Sequence, residues 1–197
     1  NYTETDSDTA TQFLPIAGTL SPAANGKRID SGVYLGEPNF NRYDAKTFSA
    51  TLLADHQFNA IWGVELTTRY TDAAADYQQA WPSFIGGDRY VRNPDGSLYK
   101  DGTVPRSFYR SDAESEQIAA DLRFRADFTS AHFEHRLLLG GTYQHVTTDN
   151  DGYYAFALGA STFDDSTWIN VFNPVYGAVP PEALLNSLYT DRPETTS

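Results

Sequence analysis

Four stretches of the chain alternate apolar and polar side chains step by step, and no other feature restricts its folding so tightly. Over 46–58 one series reads Phe48, Ala50, Leu52, Ala54 and Phe58, and the other reads Thr47, Ser49, Thr51 and Asp55. Over 61–71, Trp62, Val64, Leu66, Thr68 and Tyr70 oppose Glu65, Thr67, Arg69 and Thr71. Over 117–128, Ile118, Ala120, Leu122, Phe124, Ala126 and Phe128 oppose Gln117, Asp121, Arg123, Arg125 and Asp127. A fourth run sets Leu137, Leu139, Gly141 and Tyr143 against Arg136, Gly140, Thr142 and Gln144, with Leu138 interrupting the polar series. Successive side chains of a strand point to opposite faces, so each run predicts a strand with one apolar and one polar face.

Period alone does not say whether the apolar face meets a protein core or lipid. Length and connection do. Each run is about ten to twelve residues, close to the ~9–11 that a tilted strand needs to cross the hydrocarbon layer. The first two runs join through a tight turn at Asn59 and Ala60, and the last two through 129–134. The other connections, 72–116 and everything after Val146, are long, polar and rich in aromatic residues. Short turns at one end and long loops at the other are the asymmetry of outer-membrane barrels. Phe58 and Trp62 flank the first short turn, Phe128 and Phe133 the second, and Tyr43, Tyr70 and Tyr143 stand at the loop ends, where interfacial girdles belong. The predicted fold is all-β, a piece of a transmembrane antiparallel β-barrel with about four full strands and long extracellular loops.

Composition agrees. Forty per cent hydrophobic residues, with no long apolar run, argues against a helical membrane protein. The first residues lack the basic and apolar regions of a secretory leader, so either the start has been removed or the chain is a fragment. A net charge of -12 argues against nucleic acid as a partner, because phosphate recognition rests on basic patches. The acid is assigned to loops: Asp6, Asp8, Asp72, Asp76, Asp88, Asp95, Asp101, Asp149, Asp151, Asp164 and Asp165 all fall in them on this reading. Cysteine is absent, which removes disulfide, zinc-ribbon and thiol chemistry.

The segment 11–43 carries Phe13-Leu14-Pro15, Gly18-Thr19, Asn25-Gly26-Lys27 and then 36–43, GEPNFNRY. Further on stand His56-Gln57-Phe58-Asn59, the run 135–141, and Phe172-Asn173-Pro174-Val175-Tyr176. Taken in order, this set resembles the outer-membrane TonB-dependent siderophore receptors, particularly the ferrichrome and ferrioxamine (hydroxamate) branch, and it covers most of the chain. The resemblance implies that 1–197 is a partial barrel domain, with the plug, the remaining strands of a barrel of about 22, and the terminal aromatic residue lying elsewhere. It implies an active transporter and not an enzyme, with no cofactor and with a ferric siderophore as the transported ligand. The implied partners are TonB-ExbB-ExbD acting through the plug, outer-membrane lipid and lipopolysaccharide, and the implied location is the bacterial outer membrane. Glu65, Arg69, Asp121, Arg123, Arg125 and Asp127 would face the plug.

In such receptors loop aromatics hold the ligand, and by position that role falls to Phe13 in the first loop, Tyr77 and Trp81 in the second, and Tyr154 and Phe156 in the third. Ring faces give a bulky, weakly charged chelate a large contact area at low entropic cost. Loop packing is an equal account of each ring. Thr11 stands where some relatives carry Tyr. Within the second loop, Asn93-Pro94-Asp95-Gly96 predicts a turn closing a small hairpin over 88–100.

Catalytic signatures are absent: there is no nucleophile elbow, phosphate loop or dinucleotide fingerprint. His132, Glu134 and His135 lie on a short turn without further ligands, Asp149 to Gly152 reads as a turn and not a calcium loop, and Asp112, Glu114 and Glu116 read as a hydrated loop. Two further readings stay open, a passive porin-like or structural barrel and a soluble carbohydrate-binding β-sandwich.

Overall fold

The computed structural model describes residues 1–10, 13–83, 88–191 and 193–196. Four long strands carry it: β2 (Arg42–Gln57), β3 (Trp62–Pro82), β5 (Arg106–Ser130) and β6 (Phe133–Ala155). β1 (Tyr2–Ser7) lies beside β2, while β8 (Asn186–Asp191) and β9 (Glu194–Thr196) both pair with β6. All pairings of this sheet are antiparallel, in the order β1-β2-β3-β5-β6-β8. Two short strands, β4 (Thr103–Val104) and β7 (Ile169–Asn170), pair with each other among the loops.

The register aligns the apolar series. Ala54, Leu66, Leu122 and Gly141 stand opposite one another across four strands, as do Leu52, Thr68, Ala120 and Tyr143. One face therefore carries Leu52, Trp62, Ile118, Phe124, Leu137 and Leu139, all exposed. No second sheet covers it among the described residues, so the sandwich reading fails. A sheet that presents this much apolar surface is a lipid-facing wall. Trp62 to Tyr70 measures about 26 Å along the strand, the height of a lipid-facing band. Its upper rim is Tyr2, Phe48, Tyr70 and Tyr143. Among the described residues no helix is long and apolar enough to cross a membrane; strands do the crossing.

The strands run well past the rim, where loops were expected. Residues 72–82 continue β3, 106–116 begin β5, and 146–155 complete β6. Asp149 to Gly152 is strand, not turn, and Asp112, Glu114 and Glu116 are strand, not loop. Beyond the lipid both faces are wetted, so the apolar/polar alternation that identifies a strand disappears from the sequence although the backbone pairing continues. The carboxylates then line up. Asp6, Asp44, Asp76, Asp112 and Asp151 occupy one row, each directly opposite the next across five strands. Glu4 and Lys46 begin the row below, which Glu114 and Asp149 complete. Arg42 binds Asp76, and Arg110 donates to Asp112 at 2.7 Å, so the row is only partly neutralised.

The opposite face of the membrane segment carries the charged series. Arg125 reaches Glu65 at 3.3 Å and Gln57 at 3.0 Å, and Arg123 meets Asp121 at 2.6 Å. Leu53 and Leu138 also sit there, 72% and 70% exposed. That parity explains why Leu138 interrupted the pattern.

At the loop end the connections pack into a cap. Ala23, Ile29, Leu35, Tyr90, Leu98, Val104, Ile169 and Val171 form its core, drawing on three loops. Phe40, Ala80, Phe108, Ala155 and Leu185 form a second cluster where cap meets sheet, with Phe40 edge-on to Phe108 at 5.4 Å. The hairpin expected over 88–100 forms through the Arg92–Leu98 bridge, with Gly96 at φ +85° in its turn.

Candidate ligand site at the loop end of the sheet

Strand parity decides which side chains look into the mouth. On β3 the odd positions continue the face of Glu65 and Arg69, so Tyr77, Gln79 and Trp81 project inward above the membrane level. Pairing carries that face to Tyr109 on β5 and Tyr154 on β6, which stand directly opposite each other. Tyr43 pairs with Tyr77 on the same side. Tyr43 is thus an interior residue and not part of the girdle.

Four of the five expected contact residues form one continuous aromatic surface. Phe13 lies 6.4 Å from Trp81, Trp81 stacks on Tyr154 at 6.0 Å with planes 21° apart, and Tyr154 lies 6.4 Å from Phe156. Trp81 and Tyr154 belong to strands on either side of β5. They meet because β5 places the small Ser107 opposite Trp81. The Ser107 hydroxyl is buried, sharing a 2.7 Å bond with Ser83 and accepting the Ala157 amide at 3.0 Å, which fixes the start of the third loop beside Phe156.

Tyr77 joins from one side. Its ring lies 6.2 Å from Tyr43 and 5.8 Å from Tyr109, and its hydroxyl donates to Gln79 Oε1 at 2.8 Å. Gln79 Nε2 then donates to the Ala10 carbonyl at 2.7 Å, and Arg89 donates to the Phe13 carbonyl at 2.6 Å. Thr11 and Phe84 lie outside the described residues.

The chemistry of this wall is uncharged. From β2 to β6 its inward positions above the membrane are Tyr43 and Ala45; Ala73, Ala75, Tyr77, Gln79 and Trp81; Ser107, Tyr109, Ser111, Ala113 and Ser115; and Thr148, Asn150, Gly152 and Tyr154. At the same height the outward face holds the aspartate row. Rings, hydroxyls and amides thus face in, and carboxylates face out.

Glu37 and Arg106 set the cap over this wall; Glu37 lies in the GEPNFNRY run, but nothing in the local sequence announces Arg106 or the pairing of the two. Both side chains are fully buried. Arg106 donates to Glu37 Oε2 from both Nη atoms at 3.2 Å, to the Thr167 carbonyl at 2.8 Å, the Gly36 carbonyl at 3.0 Å and the Ala178 carbonyl at 3.1 Å. Glu37 in turn accepts the amides of Gly177 and Ala178. Burial pushes the Arg106 pKa down, and the Glu37 charge opposes that shift. First loop, strand β5 and third loop meet at this one pair. Among the described residues no cluster of three potential metal ligands occurs.

Comparison with known proteins places this geometry. No family model matches the chain. A ferrioxamine B receptor of Salmonella typhimurium is 27% identical over 175 residues, 88% of this chain and 22% of the relative. The ferrichrome outer membrane transporter/phage receptor of Escherichia coli is 22% identical over 169 residues, 83% of this chain and 22% of the relative. The chain resembles outer-membrane siderophore receptors. The siderophore receptor PiuA from Acinetobacter baumannii shares the fold with a TM-score of 0.61 at 17% identity, covering 99% of this chain and 27% of that structure. The resemblance to receptor barrels agrees with the lipid-facing wall, and the chain has the fold of part of a bacterial outer-membrane β-barrel. It spans about a fifth of the length of the curated relatives it matches, 22% for both the Salmonella and the Escherichia receptor.

Proposed function

We propose that residues 1–197 supply part of the barrel of an active transporter that binds a ferric siderophore of the hydroxamate type and imports it, energised by TonB-ExbB-ExbD through a plug domain. The supporting observation is the neutral aromatic wall, with Phe13, Trp81, Tyr154 and Phe156 in contact and Tyr77 beside them. A hydroxamate chelate of ferric iron carries little net charge, so it gains from ring faces and needs no counter-ion from the wall. A triply anionic catecholate chelate would have to be desolvated against inward strand positions that carry no cation. Glu65, Arg69, Asp121, Arg123, Arg125 and Asp127 lie below this mouth on the same face and in this reading contact the plug and water. Lipid and the lipopolysaccharide layer cover the other face.

The test is tryptophan quenching in the full-length protein, with ferrioxamine B, ferrichrome and a ferric catecholate as ligands. Selective quenching by a hydroxamate, weakened at least tenfold by Trp81→Ala or Phe13→Ala, is the expected result. Quenching by the catecholate alone, or by no siderophore, would overturn the proposal and favour the porin-like barrel.

A further inference from the structure

We infer that Tyr77 is a positioning residue, acting through Gln79 to hold the first loop so that Phe13 closes on Trp81. The inference rests on the proposed ligand site and assigns Tyr77 a different task from its aromatic neighbours. Three observations carry it. The Tyr77 hydroxyl is committed to Gln79 Oε1 at 2.8 Å, which leaves the amide nitrogen to point the other way. That nitrogen donates to the carbonyl of Ala10 at 2.7 Å, three residues before Phe13. The Tyr77 ring is held on both sides, by Tyr43 at 6.2 Å and Tyr109 at 5.8 Å, so the hydroxyl has a fixed origin.

The relay works because of parity. Tyr77, Gln79 and Trp81 are alternate residues of β3 and share one face, so the carbonyl that Gln79 grips and the ring that Phe13 meets lie on the same side of the sheet. Thr9 is secured separately: its hydroxyl donates to the Gln78 carbonyl at 2.7 Å, and its own carbonyl accepts from Tyr34 and Asn41. Those bonds fix where the loop leaves the sheet. Gln79 fixes its course one residue nearer the aromatic surface, and its amide orientation is set by Tyr77. A glutamate at 79 could still accept from Tyr77 but could not donate to Ala10, so the two links can be broken separately.

The experiment places 4-fluorophenylalanine at position 13 of the full-length protein in detergent and reads its 19F resonance without ligand. The Trp81 ring current makes that resonance a direct measure of the Phe13–Trp81 approach. Tyr77→Phe, Gln79→Ala and Gln79→Glu are expected to shift it, and Tyr43→Phe is expected to leave it in place. An unmoved resonance in Tyr77→Phe and Gln79→Glu overturns the inference, whatever the ligand. Ferrioxamine B affinity gives the second readout. Each variant should weaken binding about threefold to tenfold, the scale of one lost hydrogen bond, and Tyr77→Phe should add nothing in a Phe13→Ala background. Additive losses would mean that Tyr77 touches the ligand itself and would overturn the inference. A wild type that binds no siderophore while its 19F signal responds to Gln79→Glu would support the relay and reject the ligand assignment.

Discussion

Arg106 and Glu37 form a buried ion pair, 3.2 Å apart and fully withdrawn from solvent, at the point where the first and third loops meet the start of β5. Removing one partner of such a pair leaves a buried charge without compensation, at a cost of about 3–5 kcal/mol. Glu37→Leu is expected to release the cap and leave the strand pairings of the sheet in place. Hydrogen exchange would show lost protection at Gly177 and Ala178, whose amides Glu37 accepts. Arg106→Met combined with Glu37→Leu should recover part of the loss, because it removes both charges.

Arg125 is the contrast on the same strand. It makes three polar contacts, to Glu65, Gln57 and Asp127, but its side chain and its acidic partners are about half exposed. Exposed pairs contribute roughly 0–1 kcal/mol. Arg125→Ala should therefore change thermal stability in detergent by less than about 1 kcal/mol, several times less than Arg106→Ala.

The aspartate row predicts a stabilising substitution. Asp112 stands directly between Asp76 and Asp151, and like charges directly opposite across strands destabilise a sheet. Asp151→Asn, which removes one of these charges without breaking the Arg110–Asp112 pair, should raise stability by about 0.2–1 kcal/mol. Salt should stabilise the wild type more than the variant, since screening relieves repulsion that the variant lacks. Unfolding midpoints at low and physiological ionic strength would test both.

The cap should open at both extremes of pH. Tyr90 is buried with its hydroxyl donated to Ala17, and burial raises its pKa from 10.0 to about 12. A raised folded-state value means that its contribution is fully present below pH 10 and is lost as pH rises toward 12. On the acid side, Lys100 and Tyr99 bonds lower the Asp165 pKa, and Lys27 and Asn25 bonds lower that of Asp101. Depressed folded-state values mean stability present above the ordinary carboxylate range and lost as pH falls below it. Cap proteolysis should thus accelerate below about pH 4 and above about pH 10, with Tyr90→Phe removing only the alkaline limb.

The membrane part of the fold was legible because lipid demands apolar side chains on every outward position and leaves the other face polar. Leu52, Leu66 and Leu122 follow that demand, and the structure sets the last two directly opposite each other. Above Tyr70 the demand ends, and there the sequence reads as loop although β3 continues to Pro82. The aromatic contact residues were named from resemblance. Their side of the wall follows from strand parity once the extension of the strands is known.

By itself the sequence determined the all-β character, the two tight hairpin turns and the lipid-facing series, because each depends on residues within one strand or turn. Tertiary structure alone decided the stacking of Trp81 on Tyr154, the row of five aspartates and the burial of Arg106 with Glu37. Those relations join residues 32 to 73 positions apart, so they exist only when register and loop packing bring distant side chains to the same place.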